Sequence, residues 1–188
     1  MRPIYYWLAP ALLLAPGARA QALPLDEHGH VSFYEVVAAD SLPAGALYAH
    51  AKAWLHRRGY ALARADSAAG QLVATNGFGV YDRGYLTKKM HGKVNYQLTL
   101  DVKNGRYRLQ FNDFAFAYYQ EDRTYHLVPT GKTKLLEDPA APGWQKLWES
   151  HRKDAVLAVA SLSDELKTAM LAVPKAPVLA QRPRSTDW

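Results

Sequence analysis

Apolar and polar residues alternate most strictly over Val94–Phe111, and this period of two predicts a pair of β-strands. Asn104-Gly105 interrupts the alternation with the residue pair preferred in a two-residue type I′ hairpin turn. Counting outward from the turn places Asp101 opposite Arg108, a favourable cross-strand ion pair on the polar face. The side chains predicted to face the core are Tyr96, Leu98, Leu100, Val102, Tyr107, Leu109 and Phe111.

The alternation changes parity just after this hairpin. Continued alternation would turn Asp113 inward and would expose Phe114 and Phe116. A one-residue β-bulge near Asn112-Asp113 would return both phenylalanines to the core, so we predict a bulge there.

Two amphipathic helices flank the central strands in the sequence. After a strand over residues 30–37, Asp40-Ser41 is predicted to cap a first helix that ends at Gly59, with Leu47, Ala51, Trp54 and Leu55 on its apolar face. A second helix is predicted over Gly143–Leu171. Its apolar stripe consists of Trp144, Trp148, Ala155, Val159, Leu162, Leu166 and Met170. One apolar sheet face and two such helices predict an α+β fold in which both helices cover one face of an antiparallel sheet.

The remaining segments have weaker patterns. Short strands are predicted at Tyr60–Ala65 and Gln71–Thr75. Asn76–Gly92 is rich in glycine and is predicted to be an irregular connection, part of which could extend a strand. Glu121–Pro142 is polar and interrupted by proline, with one short strand expected at Tyr125–Val128.

The N-terminus has the three parts of a secretory signal peptide. Met1-Arg2 supplies a basic start, Ile4–Ala15 an apolar run, and Ala18-Arg19-Ala20 a small-residue cleavage site. The run is shorter than the about 20 residues that a transmembrane helix needs, so we expect cleavage and export rather than a retained membrane anchor. The predicted organisation is 1–20 signal peptide, 21–28 N-terminal arm, 29–171 single α+β domain and 172–188 flexible proline-rich tail.

The amino-acid composition excludes some classes of function but does not identify the function. The 188 residues are 49% hydrophobic and 21% charged, as in an ordinary globular protein. Because there is no cysteine, disulfides, thiolate metal sites and cysteine nucleophiles are excluded. Loss of Arg2 and Arg19 would leave 21 basic and 17 acidic residues, a net charge of +4. That charge suits an anionic envelope surface or nucleic acid equally well.

A search for catalytic and cofactor motifs finds two weak patterns. Gly77-Phe78-Gly79 resembles the start of a dinucleotide-binding loop, but Asp82 occupies the third glycine position. His28-Gly29-His30, preceded by Asp26 and Glu27, could supply metal ligands, and the alternative is a solvated arm. We predict neither a metal nor a cofactor.

Two carboxylates, Glu35 and Asp113, are expected in apolar surroundings, where an acid–base group would need to be. Alternatively, Glu35 is a charge that protects an edge strand, and Asp113 is a hydrogen-bond acceptor at the bulge. They would carry the chemistry if the protein were a hydrolase of envelope polymers, and a cleft joining either to a histidine would favour that function.

Two groups of residues could bind a partner. The outward row of the hairpin would form a polar platform on an open sheet face, and a basic tyrosine-containing loop could stack on sugars or contact phosphates. The platform comprises Gln97, Thr99, Asp101, Lys103, Arg106, Arg108 and Gln110, and the loop contains Tyr81, Tyr85, Lys88, Lys89 and Lys93.

Several segments together resemble one known family. They are Phe33–Val37, Leu47-Tyr48, Trp54-Leu55 and above all Lys103–Arg108, within a likeness that runs over about residues 31–170. The resemblance is to a bacterial exported domain of unknown function with a TBP-like fold, named for TATA-binding protein. It implies this fold and an exported location, and it supplies no catalytic residues. TATA-binding protein inserts apolar residues into the minor groove, whereas this platform is polar, so nucleic acid is not an expected partner.

We therefore predict a non-enzymatic envelope protein that binds a protein, glycan or lipid headgroup through the platform or the loop. The alternatives are the hydrolase described above and a structural subunit that oligomerises through an exposed edge strand.

Overall fold

The computed structural model describes residues 23–81, 90–140 and 143–172. The predicted signal peptide and nearly all of the predicted tail lie outside these ranges. Within them the chain forms six strands and two helices. They are β1 (Phe33–Ala38), α1 (Ala44–Arg57), β2 (Ala61–Asp66), β3 (Gln71–Tyr81), β4 (Met90–Lys103), β5 (Arg106–Glu121), β6 (Leu127–Leu135) and α2 (Gln145–Leu171).

The strands form one antiparallel sheet in the order β1-β5-β4-β3-β2. The long strand β5 has β4 on one side and two partners on the other. β1 pairs with its first half, from Arg106 to Phe111, and β6 pairs with its second half, from Ala115 to Glu121. The predicted hairpin register is confirmed, since Leu100 lies opposite Leu109 and Asp101 opposite Arg108.

The predicted bulge is present in β5. Asn112 pairs with Gln97 and Ala115 pairs with Asn95, so two residues of β5 oppose the single residue Tyr96 of β4. Asp113 adopts a left-handed conformation with φ of 55°. The extra residue reverses the parity, and both Phe114 and Phe116 are buried.

Both helices cover the same face of the sheet, as predicted. All seven inward hairpin residues and the four predicted residues of α1 are buried. The predicted apolar stripe of α2 is confirmed from Trp148 onward, since each of its residues from there to Met170 is buried. Trp144 is wrong, because it precedes the helix and is 68% exposed. His151 takes a core position and is only 1% exposed.

The hairpin turn and the start of α1 differ from the prediction together. Only Gly105 has a positive φ, of 72°, whereas a type I′ turn needs positive φ at both central residues. The side chain of Asn104 is committed elsewhere: its Oδ1 accepts a hydrogen bond from the Ala44 N–H at 2.8 Å. α1 therefore begins after Pro43 and is capped from the hairpin, so the predicted cap at Asp40-Ser41 is wrong.

Both predicted connections contain strand. β3 continues to Tyr81 and β4 begins at Met90, so both ends of Asn76–Gly92 extend strands, as the prediction allowed for part of this segment, and residues 82–89 lie outside the described ranges. Gly92 allows β4 and β5 to pack closely here. A Cβ at this position would lie 2.3 Å from the Phe116 ring, so a larger residue would not fit without a shift. β6 replaces the short strand expected at Tyr125–Val128, and it includes Pro129, which an edge strand tolerates.

None of the helices in the described ranges is long and apolar enough to cross a membrane.

Candidate partner-binding surface

The sheet face opposite the helices, called the open face below, carries the predicted platform. Strand parity and register place the platform residues of β4 and β5 side by side on it, and neighbouring strands add further side chains. The open face includes Tyr34, Val36, Arg64, Gln71, Val73, Gln97, Thr99, Asp101, Lys103, Arg106, Arg108 and Gln110. All these side chains are exposed or partly exposed.

A hydrogen-bonded row crosses four strands of the open face. Arg108 donates from Nε to Oδ2 of Asp101 at 2.9 Å, and Gln71 donates from Nε2 to Oδ1 of Asp101 at 2.9 Å. Arg64 on β2 donates to Oε1 of Gln71 at 3.3 Å. The row holds these four side chains in fixed positions, so part of the face is ordered before any partner arrives.

Asp101 is ionised within this row. Partial burial favours the protonated acid, but hydrogen bonds from Arg108 and Gln71 outweigh burial and lower the pKa of the carboxyl. The hydrogen bond to Asp101 in turn raises the pKa of Arg108, with a smaller contribution from Tyr34 on β1. Arg108 is therefore neutralised within the protein.

Lys103 and Arg106 lie directly opposite each other at the hairpin end. In the described part of the chain, neither has a carboxylate within 4.0 Å. Like charges in facing positions destabilise a sheet. They border a depression of about 300 Å³ that also touches Val36 and Ala69. Asp101 also lines this depression, and the charge of Lys103 contributes to the lowered pKa of Asp101. The arrangement presents two cations that are in no ion pair among the described residues to an anionic group.

The tyrosine-containing loop is only partly described. Tyr81, at the end of β3, is 48% exposed, and its hydroxyl lies 3.3 Å from the place a Cβ would take on Gly79. A Cβ on Gly77 would similarly meet Lys93 at 2.7 Å. Both glycines thus lie in a strand and make room for neighbouring side chains, which corrects their resemblance to a nucleotide-binding loop. Tyr85, Lys88 and Lys89 lie outside the described residues.

The two candidate carboxylates lie in different surroundings. Glu35 lies on the helix side of β1, where Nζ of Lys167 on α2 is 2.7 Å from its Oε1. Burial of Tyr107, together with the negative charge of Glu35, raises the pKa of that phenol to about 12. Asp113 is exposed at the bulge. Among the described residues, neither carboxylate makes a hydrogen bond to a histidine.

The N-terminal arm is organised by hydrogen bonds of its own. Oδ1 of Asp26 accepts hydrogen bonds from the backbone N–H groups of His28 and His30, each at 2.9 Å. The His30 ring lies 2.8 Å from Oε1 of Glu137, and this contact raises the pKa of His30. No group of three or more histidine, aspartate or glutamate side chains in the described ranges could hold a metal ion.

A cluster of two histidines and two aromatic residues was not predicted from the sequence. Nδ1 of His91 and Nε2 of His151 are 2.8 Å apart, and the His151 ring stacks on Phe116 at a centroid distance of 5.4 Å. Trp148 packs edge-on against the same phenylalanine. Because the two histidines are 60 positions apart in different elements, no local spacing links them. The one signal was the position of His151 three residues after Trp148, on the buried side of α2.

Comparisons with known proteins agree with this architecture. Residues 33–117 match the family described as a domain of unknown function (DUF4468) with TBP-like fold. Over these residues the chain is similar to the DUF4468 family, and the predicted resemblance is confirmed. The match includes the hairpin and the platform, and it ends at Ala117, before β6 and α2.

Solved structures with the DUF4468 or TBP-like description have the same fold. A DUF4468 family protein from Bacteroides ovatus ATCC 8483 superposes with a TM-score of 0.62 at 16% identity, covering 82% of this chain and 94% of its own. A TBP-like protein from Parabacteroides distasonis ATCC 8503 gives a TM-score of 0.58 at 15% identity, covering 79% and 96%. No curated protein matches the sequence.

Proposed function

We infer that the protein is an exported, non-enzymatic binding protein that captures an anionic partner of the cell envelope on its open face. The observation that carries this inference is the facing pair Lys103 and Arg106, neither of which forms an ion pair among the described residues. Since such a pair disfavours the isolated fold, its presence is explained by a negatively charged group on the partner.

The ordered row beside this pair supports recognition rather than a merely solvated face. Arg108, Asp101 and Gln71 are held by one another, so binding would cost little side-chain entropy at these positions. Gln97 and Thr99 extend the polar surface along β4 with hydrogen-bonding groups.

A non-enzymatic role is supported by the state of the two candidate carboxylates. Glu35 is engaged by Lys167, and Asp113 is exposed at a bulge rather than enclosed in a cleft. Export is supported by the signal-like N-terminus and is tested by fractionating cells that express the protein.

The binding proposal is tested by crosslinked co-purification of the protein from its native envelope. Lys103→Glu combined with Arg106→Glu should abolish recovery of the partner. The thermal melt should remain close to that of the wild type, because neither residue forms an ion pair with another described residue. Rising salt should weaken capture by the wild type.

The matched control places the same charge change on the helix side of the molecule. Lys52→Glu combined with Arg57→Glu reverses two exposed cations of α1 and should leave partner recovery unchanged. Equal recovery with the platform and control variants would refute the role of the open face.

A further inference from the structure

The sheet has edges at β1, β2 and β6 that pair with no further strand among the described residues. An open edge presents unpaired backbone groups that can pair with another chain, and proteins usually protect it with bulges, charges or proline. β2 has an irregularity between Leu62 and Arg64, and Arg64 adds an exposed charge. β6 contains Pro129 as well as Lys132 and Lys134.

β1 has neither a bulge nor a proline. Its pairing with β5 is regular from Phe33 to Ala38. Its single charged residue, Glu35, points to the helix side and is paired with Lys167. On the open face, Tyr34 and Val36 are 59% and 53% exposed.

The backbone groups of β1 that pair with nothing among the described residues can be identified. The Ala39 N–H donates to the Gly105 carbonyl at 2.7 Å, so residues of the same parity in β1 face β5. Tyr34, Val36 and Ala38 therefore direct their N–H and C=O groups to the outer edge. Just before them, the Ser32 N–H already donates to the Pro24 carbonyl at 3.1 Å, which closes that end of the edge.

We propose that this free stretch pairs with the same stretch of a second copy of the chain, antiparallel and with a twofold axis at Val36. Val36 would then face its own symmetry mate, and Tyr34 would face Ala38 of the second copy. Each of these residues can exchange both backbone hydrogen bonds with its mate, so all the free groups are satisfied. No charge opposes a like charge, because Glu35 would face Val37 of the second copy.

The surface beside the edge favours the same partner. A groove of about 580 Å³ lies between β1 and α2. Its helix side is apolar at Val156, Val159 and Ala160 and polar at Ser163, Asp164 and Lys167. One turn away on α2, Leu157 is 62% exposed. A strand added at β1 would cover this groove with its helix-side residues, and a twofold axis would bury the same apolar surface on both copies.

Light scattering of the purified protein over a range of concentrations tests the proposal. We expect the wild type to be a dimer that dissociates on dilution. Val36→Lys and Val36→Glu should each be monomeric, because equal charges would meet at the twofold axis. An equimolar mixture of the two variants should form a heterodimer, which also shows that both are folded.

The matched control is Leu62→Lys on β2, which adds the same charge at another exposed edge position. It should dimerise as the wild type does. A wild type that is monomeric at every soluble concentration would overturn the proposal and would leave the edge to an extended segment of another protein. Dimers that persist in both Val36 variants, or a mixture that stays monomeric, would also overturn it.

Discussion

Asn104 shows how one side chain connects two elements. It belongs to the turn between β4 and β5, and its Oδ1 accepts the hydrogen bond of the first helical N–H of α1. The same turn is held from both sides, since the Gly105 N–H donates to the Leu42 carbonyl and the Gly105 carbonyl accepts from Ala39. The helix start and the hairpin end are therefore positioned by each other.

Removing the Asn104 side-chain cap should show how much it contributes to the stability of the fold. Asn104→Ala leaves the Ala44 N–H without its acceptor and should lower the free energy of unfolding by about 1 kcal/mol. Asn104→Asp retains an acceptor oxygen and should stay close to the wild type. Urea unfolding monitored by circular dichroism checks both variants, and an alanine variant as stable as the wild type would show that the cap contributes nothing.

Asp101 should make stability depend on pH. Its pKa is lower in the folded chain than in the unfolded one, so its ionised form adds stability above the unfolded value of about 3.9. This contribution is lost as the pH falls through the folded pKa. Asp101→Asn should therefore cost about 0.2–1 kcal/mol near neutral pH, a modest value because Arg108 is half exposed.

The corresponding measurement is denaturant unfolding of both proteins at neutral pH and near pH 2. The difference between them should shrink in acid, as the pH falls toward and through the lowered pKa of Asp101. A difference of the same size at both pH values would mean that the ion pair is not its source.

At the scale of elements, the β4–β5 hairpin follows from local information. A strict alternation, a two-residue turn and a change of parity after Phe111 were enough to predict its register and its bulge. β3 and β6 were harder to predict. Gly77, Gly79, Pro129 and Gly131 are typical of loops, and only the neighbouring strands show that the backbone stays extended there.

The facing of the hairpin can be tested by paired substitutions. Leu109 is 1% exposed beneath the helices, and Leu109→Ala should lower the free energy of unfolding by roughly 2–5 kcal/mol. Gln110 is the next residue and lies on the open face, so Gln110→Ala should change it by less than about 0.5 kcal/mol. Thermal melts of the two variants decide the point, and similar melts would contradict the assigned faces.

At the scale of the whole molecule, the sequence predicted the layers but not all the contacts between them. Two apolar helix faces and one apolar sheet face allow few arrangements, so the α+β fold could be inferred. The platform residues could be grouped by parity alone. Parity alone could not identify their partners Arg64, Gln71 and Tyr34. These residues come from strands whose register is set by tertiary pairing. The pairing of His91 with His151 is likewise visible only in three dimensions.

The cap from Asn104 also has a kinetic consequence. Its acceptor lies 60 residues after Ala44, the first residue of α1, so the helix lacks this stabilising contact until the hairpin has formed. Closing such a long loop is slow compared with local helix formation. We therefore expect α1 to become stable late, together with the sheet, rather than to act as an early independent nucleus.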